Sequence, residues 1–200
     1  MLKKTTCMFL VLSILLSVAG VASAAEAKSM DDLIHYMELS EAGTIMFDSH
    51  QALLDGFSND MVTKLIARVQ IMNQWVMDGI TTIDENFTAR IYIGNARSDN
   101  RDRTYVDVSV LYVTTIYLSV ADTDDVVENL PTVYLVDIID IVSAVNDISQ
   151  SAAFGIIVAY GSLWVTRTNI INAAANGTGI AISIHDDGTT STPFTVITAR

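Results

Sequence analysis

Residues 104–120 read TYVDVSVLYVTTIYLSV, the longest unbroken alternating run in the chain. Val106, Val108, Val110, Tyr112, Thr114, Ile116, Leu118 and Val120 fall on one face at a period of two, the signature of a strand with one side buried. The opposite face is mixed. Asp107, Ser109, Thr115 and Tyr117 tolerate water, whereas Leu111 and Val113 at its centre call for cover. The run is 17 residues long, against roughly 5–6 for a common strand. A single strand of that length has to bend across two sheets, wrap a barrel or extend past its own domain.

The residues on either side belong to different structural classes, and the change falls near Gly79. Met30, Met37, Met46, Met61, Met72 and Met77 all precede it, while β-branched threonine is concentrated after it. Before the boundary the spacing predicts about three helices. Ser29 caps the first, with Asp31 and Asp32 in its opening turn and Leu33, Ile34 and Met37 as its apolar stripe, and Gly43 ends or bends it. The second carries Ile45, Met46, Leu53, Leu54 and Phe57. The third, capped by Ser58 or Asn59, has Val62, Leu65, Ile66, Val69, Met72 and Val76 on one face and Lys64, Arg68 and Gln70 opposite, and stops at Asp78-Gly79.

After the boundary the period is two. Residues 80–83 and 87–93 read as strands, and the polar loop between Gly94 and Arg103 returns the chain antiparallel into the long run. An acidic connection over 121–130 leads to Pro131 in the first turn of a helix over 133–148. As a helix, the preferred reading, the segment gathers Asp137, Asp140, Ala144 and Asp147 on one stripe; as a strand, the alternative, it would place Asp137 on one face and Asp140 on the other. Residues 154–168 are apolar, interrupted by Gly155 and Gly161, and read as one bent strand or two. Asn176-Gly177 and Asp187-Gly188 are hairpin signals around the alternating Ile180, Ile182 and Ile184, and Pro193 favours an edge position for the last strand. The expected fold class is α+β, with the N-terminal helices packed on a mainly antiparallel sheet that has one inserted helix.

Lys3 and Lys4, an apolar run from Met8 to Val18, and the small residues Val21-Ala22-Ser23-Ala24 form a secretory signal peptide, 1–24, cleaved after Ala24. The apolar run falls short of the roughly 20 residues of a spanning helix, so no transmembrane span is expected after cleavage. Cys7 lies inside the signal, which leaves the mature chain without disulfides. The expected organisation is then a helical segment, 25–79, and a β-rich segment, 80–200, in one compact unit. Loss of Lys3 and Lys4 takes the formal net charge from −12 to −14. Such a surface repels nucleic acid and anionic membrane. Half of the residues are hydrophobic, which excludes a solvated disordered chain.

Motifs for chemistry are sparse. Asp31, His35 and Glu38 share one face of the first predicted helix, and with His50 or Asp48 they are the candidate set for a metal-dependent enzyme, weighed against an ordinary polar face. Asp122, Asp124, Asp125 and Glu128 are the densest acidic cluster and the candidate calcium ligands, weighed against a solvated loop or the capped start of a short helix. No glycine stands where an EF-hand turn requires one. Arg97, Arg101 and Arg103 crowd one loop beside Asp99 and Asp102, a docking point for an acidic surface such as a second copy, or a loop neutralised by its own aspartates. Trp75 and Trp164 read as core or interface anchors. Asn86-Phe87-Thr88 and Asn176-Gly177-Thr178 are glycosylation sequons in a host that glycosylates exported proteins. No nucleophile elbow, phosphate loop or dinucleotide fingerprint is present.

The expected function is therefore that of an exported, non-enzymatic, self-assembling envelope or extracellular protein, a filament or surface subunit, with no cofactor apart from calcium. The competing expectation is a secreted or periplasmic binding module for a small apolar or lipid-like ligand in a methionine-lined cavity.

Overall fold

The computed structural model describes residues 28–93, 103–145, 148–186 and 193–200. The signal segment, Arg97, Arg101, Asp147 and the Asp187-Gly188 hairpin signal lie outside them. The fold is mixed α and β, built on a five-stranded antiparallel sheet with several helices.

The N-terminal segment is less helical than its apolar spacing predicts. Asp31–Tyr36 is a 3-10 turn, in which Asp32 accepts hydrogen bonds from the backbone and hydroxyl of Ser29 at 2.8 and 2.9 Å. It is followed by two short antiparallel strands, β1 (Met37–Leu39) and β2 (Ile45–Phe47). Ile45 and Met46, expected in a helix, are held extended. The Asn73 side chain accepts from the Ile45 N–H at 2.7 Å and donates to its carbonyl at 2.8 Å, a bond pair that imitates a neighbouring strand. The second helix, α1 (Ser49–Leu54), starts later than predicted, with Asp48 as its cap. The third, α2 (Asn59–Met77), matches its prediction, including Ser58 at its N-cap.

From Thr88 the sheet begins. β3 (Thr88–Tyr92) pairs with β4 (Tyr105–Ser109), and β4 with β5 (Val113–Leu118). Of 80–83, only an isolated bridge from Ile83 to Ala89 is strand-like. The long run over 104–120 is thus two strands and not one, reversed at Val110-Leu111-Tyr112. Tyr112 takes a left-handed φ of 67° that glycine or asparagine more commonly supplies.

The acidic connection is helical: α3 (Val120–Asn129) follows β5 directly, and Pro131 lies beyond its end instead of opening a helix. The region 133–148 divides into β6 (Leu135–Asp137) and α4 (Ile138–Ala144). Asp137 is not on a polar helical stripe. It is buried at the N-cap of α4, where it accepts from the Ile139 N–H at 3.0 Å. The predicted strands over 154–168 are mostly helical, as α5 (Phe154–Ala159), then β7 (Trp164–Thr166) paired with β6, then the start of α6 (Arg167–Ala174). Asn176-Gly177 closes α6 and makes no hairpin. Among the described residues, four α-helices and the 3-10 turn Ile148–Gln150, not one helix, separate β5 from its neighbour β8 (Ile180–His185). β9 (Phe194–Ala199) completes the order β3-β4-β5-β8-β9, with the last strand at the edge as Pro193 implied.

Ala89, Ile91, Val106, Val108, Thr114, Ile116, Leu118, Ile180, Ile182 and Ile184 form the buried inner face of the sheet. Arg68 of α2 hydrogen-bonds to Ser109 and Thr114 at the β4–β5 end, and α6 lies against β8 and β9. Among the described residues no helix is long and apolar enough to cross a membrane.

Candidate interaction surface

The outer face of the sheet is polar, aromatic and only partly buried, and the register arranges it in rows. Tyr92, Tyr105 and Tyr117 are cross-strand neighbours, continued by Ala181 and Thr198. The next row runs Arg90, Asp107, Thr115, Ser183 and Val196. Tyr105 and Tyr117 stack with their ring centres 4.4 Å apart. Cross-strand contacts of this kind tie a sheet face together.

Three arginines cover the tyrosines. Arg90 lies 4.4 Å from the centre of Tyr105, Arg103 lies 4.8 Å from Tyr92, and Arg200 lies 5.1 Å from Tyr105. Arg90 also grips both oxygens of Asp107 at 2.7 Å each, and this carboxylate raises the Arg90 pKa above its ordinary value. Arg200 donates to the Arg103 carbonyl at 3.0 Å. Of the predicted docking arginines, then, Arg103 stands in this patch, joined by Arg90 and Arg200 from distant parts of the chain. Only strand register brings the three together, and no local spacing could have revealed it.

At the other side of the sheet β9 has the sequence FTVITA, with no charged residue. Phe194 is 60% exposed and Val196 41%. No described strand pairs with the outer edge of β9. Its Phe194 ring stacks on His185 at 4.8 Å, so this histidine is engaged in sheet packing.

The acidic cluster sits on α3 and not in a loop. Ser119 caps it: its Oγ accepts from the Asp122 N–H at 3.1 Å and donates back to the Asp122 carboxylate at 2.8 Å. The Thr104 hydroxyl donates to the same carboxylate oxygen, and the Ser119 N–H donates to Thr104 at 2.9 Å. Asp124, Asp125 and Glu128 are exposed along the helix. Replacing Ser119 with alanine is expected to lower stability by about 1 kcal/mol, the usual worth of an N-cap, read as a shift in the urea midpoint.

His35, Glu38 and Asp48 line one open groove of about 560 Å³, while Asp31 and His50 do not. At its side the Tyr36 hydroxyl donates to Asp55 at 2.6 Å, which holds the Asp55 carboxyl below its ordinary pKa and the Tyr36 phenol above. Among the described residues no three histidine, cysteine or acidic side chains converge as a metal-holding group.

One site was missed by the sequence reading, which put Arg68 on the outer side of its helix. Arg68 is buried, with 7% of its surface exposed. Its Nε donates to the Ser109 carbonyl at 2.8 Å, Nη1 to the Tyr160 hydroxyl at 3.0 Å and Nη2 to the Thr114 hydroxyl at 3.2 Å. The guanidinium lies 5.0 Å from the centre of the Tyr112 ring. Burial pushes the Tyr112 phenol well above its ordinary pKa, with Arg68 acting in the opposite direction. The one available signal was that position 68 continues the three- and four-residue stripe of Leu65 and Met72. Met30, Met37 and Met72, expected around a ligand cavity, are packed in the core.

No protein-family model, curated protein or solved structure matches this chain.

Proposed function

We propose that the protein is an exported, non-enzymatic structural subunit that assembles with copies of itself. The observation that carries this reading is the edge strand β9. A strand end of a sheet offers a row of backbone donors and acceptors, and soluble proteins usually blunt such an edge with lysine, inward charge or proline inside the strand. Phe194–Ala199 has none of these. Its exposed Phe194 and Val196 add apolar area beside the edge. A second β9, laid antiparallel, would continue the sheet across a two-fold axis, satisfying both edges at once. The sequence of the signal segment supports export, and the net charge of −12 speaks against nucleic acid as the partner.

The test is light scattering on residues 25–200 over a wide concentration range, with and without calcium, followed by negative-stain imaging. Dimers or larger particles that grow with concentration are expected. Val196→Lys places a charge beside the free edge at an exposed position, and is expected to shift the population to monomer with the fold retained by circular dichroism. A wild-type monomer at every concentration overturns the reading. A calcium-dependent size would implicate Asp122, Asp124, Asp125 and Glu128.

A further inference from the structure

α3, β6 and α4 flank a partly open cavity of about 200 Å³. Its floor is apolar, because Val126, Leu130, Val136 and Ile141 line it and all four are buried. Side chains that border unfilled volume forgo packing contacts, and a hydrocarbon chain placed there would restore them and leave water itself. The one charged residue that lines the cavity is Asp140, exposed in the first turn of α4. It forms no salt bridge among the described residues. The adjoining helix α3 adds the exposed Asp124, Asp125 and Glu128, and no basic residue lines the space. An apolar floor thus meets a uniformly negative rim.

We propose that this cavity binds a small aliphatic monoamine as its ammonium ion, with the hydrocarbon chain on the apolar floor and the ammonium at the Asp140 rim. A carboxylate beside a low-dielectric wall attracts a cation more strongly than one surrounded by water, and it repels fatty acids and other anions. The volume is below the roughly 300–1,000 Å³ of sites for drug-sized ligands. A dry apolar cavity of about 150 Å³ takes up benzene, so the space here suits a chain of about six carbons. A second ammonium at the far end of such a chain would be forced onto the apolar floor, which selects against diamines. The site lies on α3, β6 and α4 and not on the β9 edge, and it stands independently of self-assembly.

The probe is hexylamine, with hexanol and hexanoate as its uncharged and negative counterparts, titrated into the mature protein at low ionic strength and followed by backbone amide shifts. Saturable binding of hexylamine below about 20 mM is expected, with shifts centred on Val136, Ile141 and Ala144 and with hexanol at least about fivefold weaker. Hexamethylenediamine and N-acetyl-lysine amide carry the same ammonium on a chain with a polar far end, and both are expected to bind more weakly than hexylamine. Asp140→Asn should weaken hexylamine about five- to tenfold and leave hexanol unchanged, a loss that about 0.5 M salt reproduces in the wild type. Asp140 is exposed, so circular dichroism should show the fold retained. Ala144→Leu occupies the cavity and is expected to abolish saturable binding of both compounds. Should it fail to fold, Asp140→Asn and the wild-type comparisons still decide. Hexanol or hexanoate binding as tightly as hexylamine, unchanged affinity in Asp140→Asn, or no saturation up to about 20 mM would overturn the proposal. Tighter binding of the lysine amide would overturn it too, since the occupant would then be a protein side chain.

Discussion

Replacing Gly179 with alanine is expected to destabilise the protein by roughly 3–5 kcal/mol, from two costs that act together. Gly179 joins α6 to β8 with a φ of +83°, a conformation that side chains with a Cβ rarely adopt. Holding a non-glycine residue there costs about 1–3 kcal/mol. The added Cβ would also lie 2.4 Å from the Leu118 carbonyl oxygen, and backbone cannot swing aside as a side-chain tip can. Forcing strands apart to relieve such a contact costs typically about 1–3 kcal/mol more. Leu118 is fully buried at the end of β5, and the Gly179 carbonyl accepts from the Arg200 N–H at 3.0 Å, so a shift propagates into β9. Gly155, inside α5, is the control, because an added Cβ there would meet nothing within 4 Å beyond its own helix backbone and chain neighbours. Alanine at that position is expected to be neutral or to stabilise by up to about 1 kcal/mol. Urea unfolding of both variants measures the contrast, and similar midpoints would contradict the close approach at Gly179.

Truncating Arg68 to alanine is expected to cost about 3 kcal/mol or more. The Ser109 carbonyl loses a charge-assisted bond, each such bond being worth about 1.5–3 kcal/mol. Thr114 and Tyr160, 3.0 Å apart, can still bond to each other, which limits the loss. The vacated volume adds a cavity penalty. Arg68→Met keeps most of that volume and removes the buried charge, so it should cost less than the alanine variant. Chemical denaturation separates the two. If methionine were as damaging as alanine, the guanidinium bonds and not the volume would dominate this junction between α2 and the β4–β5 turn.

That turn also explains the largest misreading of the sequence. Val108 pairs with Thr114, and Val106 with Ile116. Because the connection holds an odd number of residues, facing partners have the same parity, and the buried face continues on even positions through Val110 and Tyr112 without a break. Periodicity therefore cannot distinguish this hairpin from one long strand. Composition does not help either, since Val110-Leu111-Tyr112 has no glycine, proline or asparagine. The strain at Tyr112 is accepted because its ring packs against Arg68 and its carbonyl accepts from the Asp186 N–H at 3.0 Å.

The same distinction applies to the whole chain. Local sequence was sufficient where the signal lies within a few turns. The α2 stripe with its Ser58 cap, the alternating Ile180, Ile182 and Ile184, the edge position after Pro193 and the antiparallel return into residues 104–120 were all legible, because caps, periodicity and proline act on their own neighbourhood. Short apolar stretches were not. Ile45 is extended because Asn73, from another element, supplies its bonds, and residues 154–159 are helical although their composition suits a buried strand. A fully apolar segment satisfies either state, and the tertiary partner chooses between them. The sites follow this rule as well. The uncharged edge of β9 is readable from six consecutive letters. The tyrosine and arginine rows and the enclosure of Arg68 depend on residues tens of positions apart, and they exist only once register and helix packing bring those residues into contact.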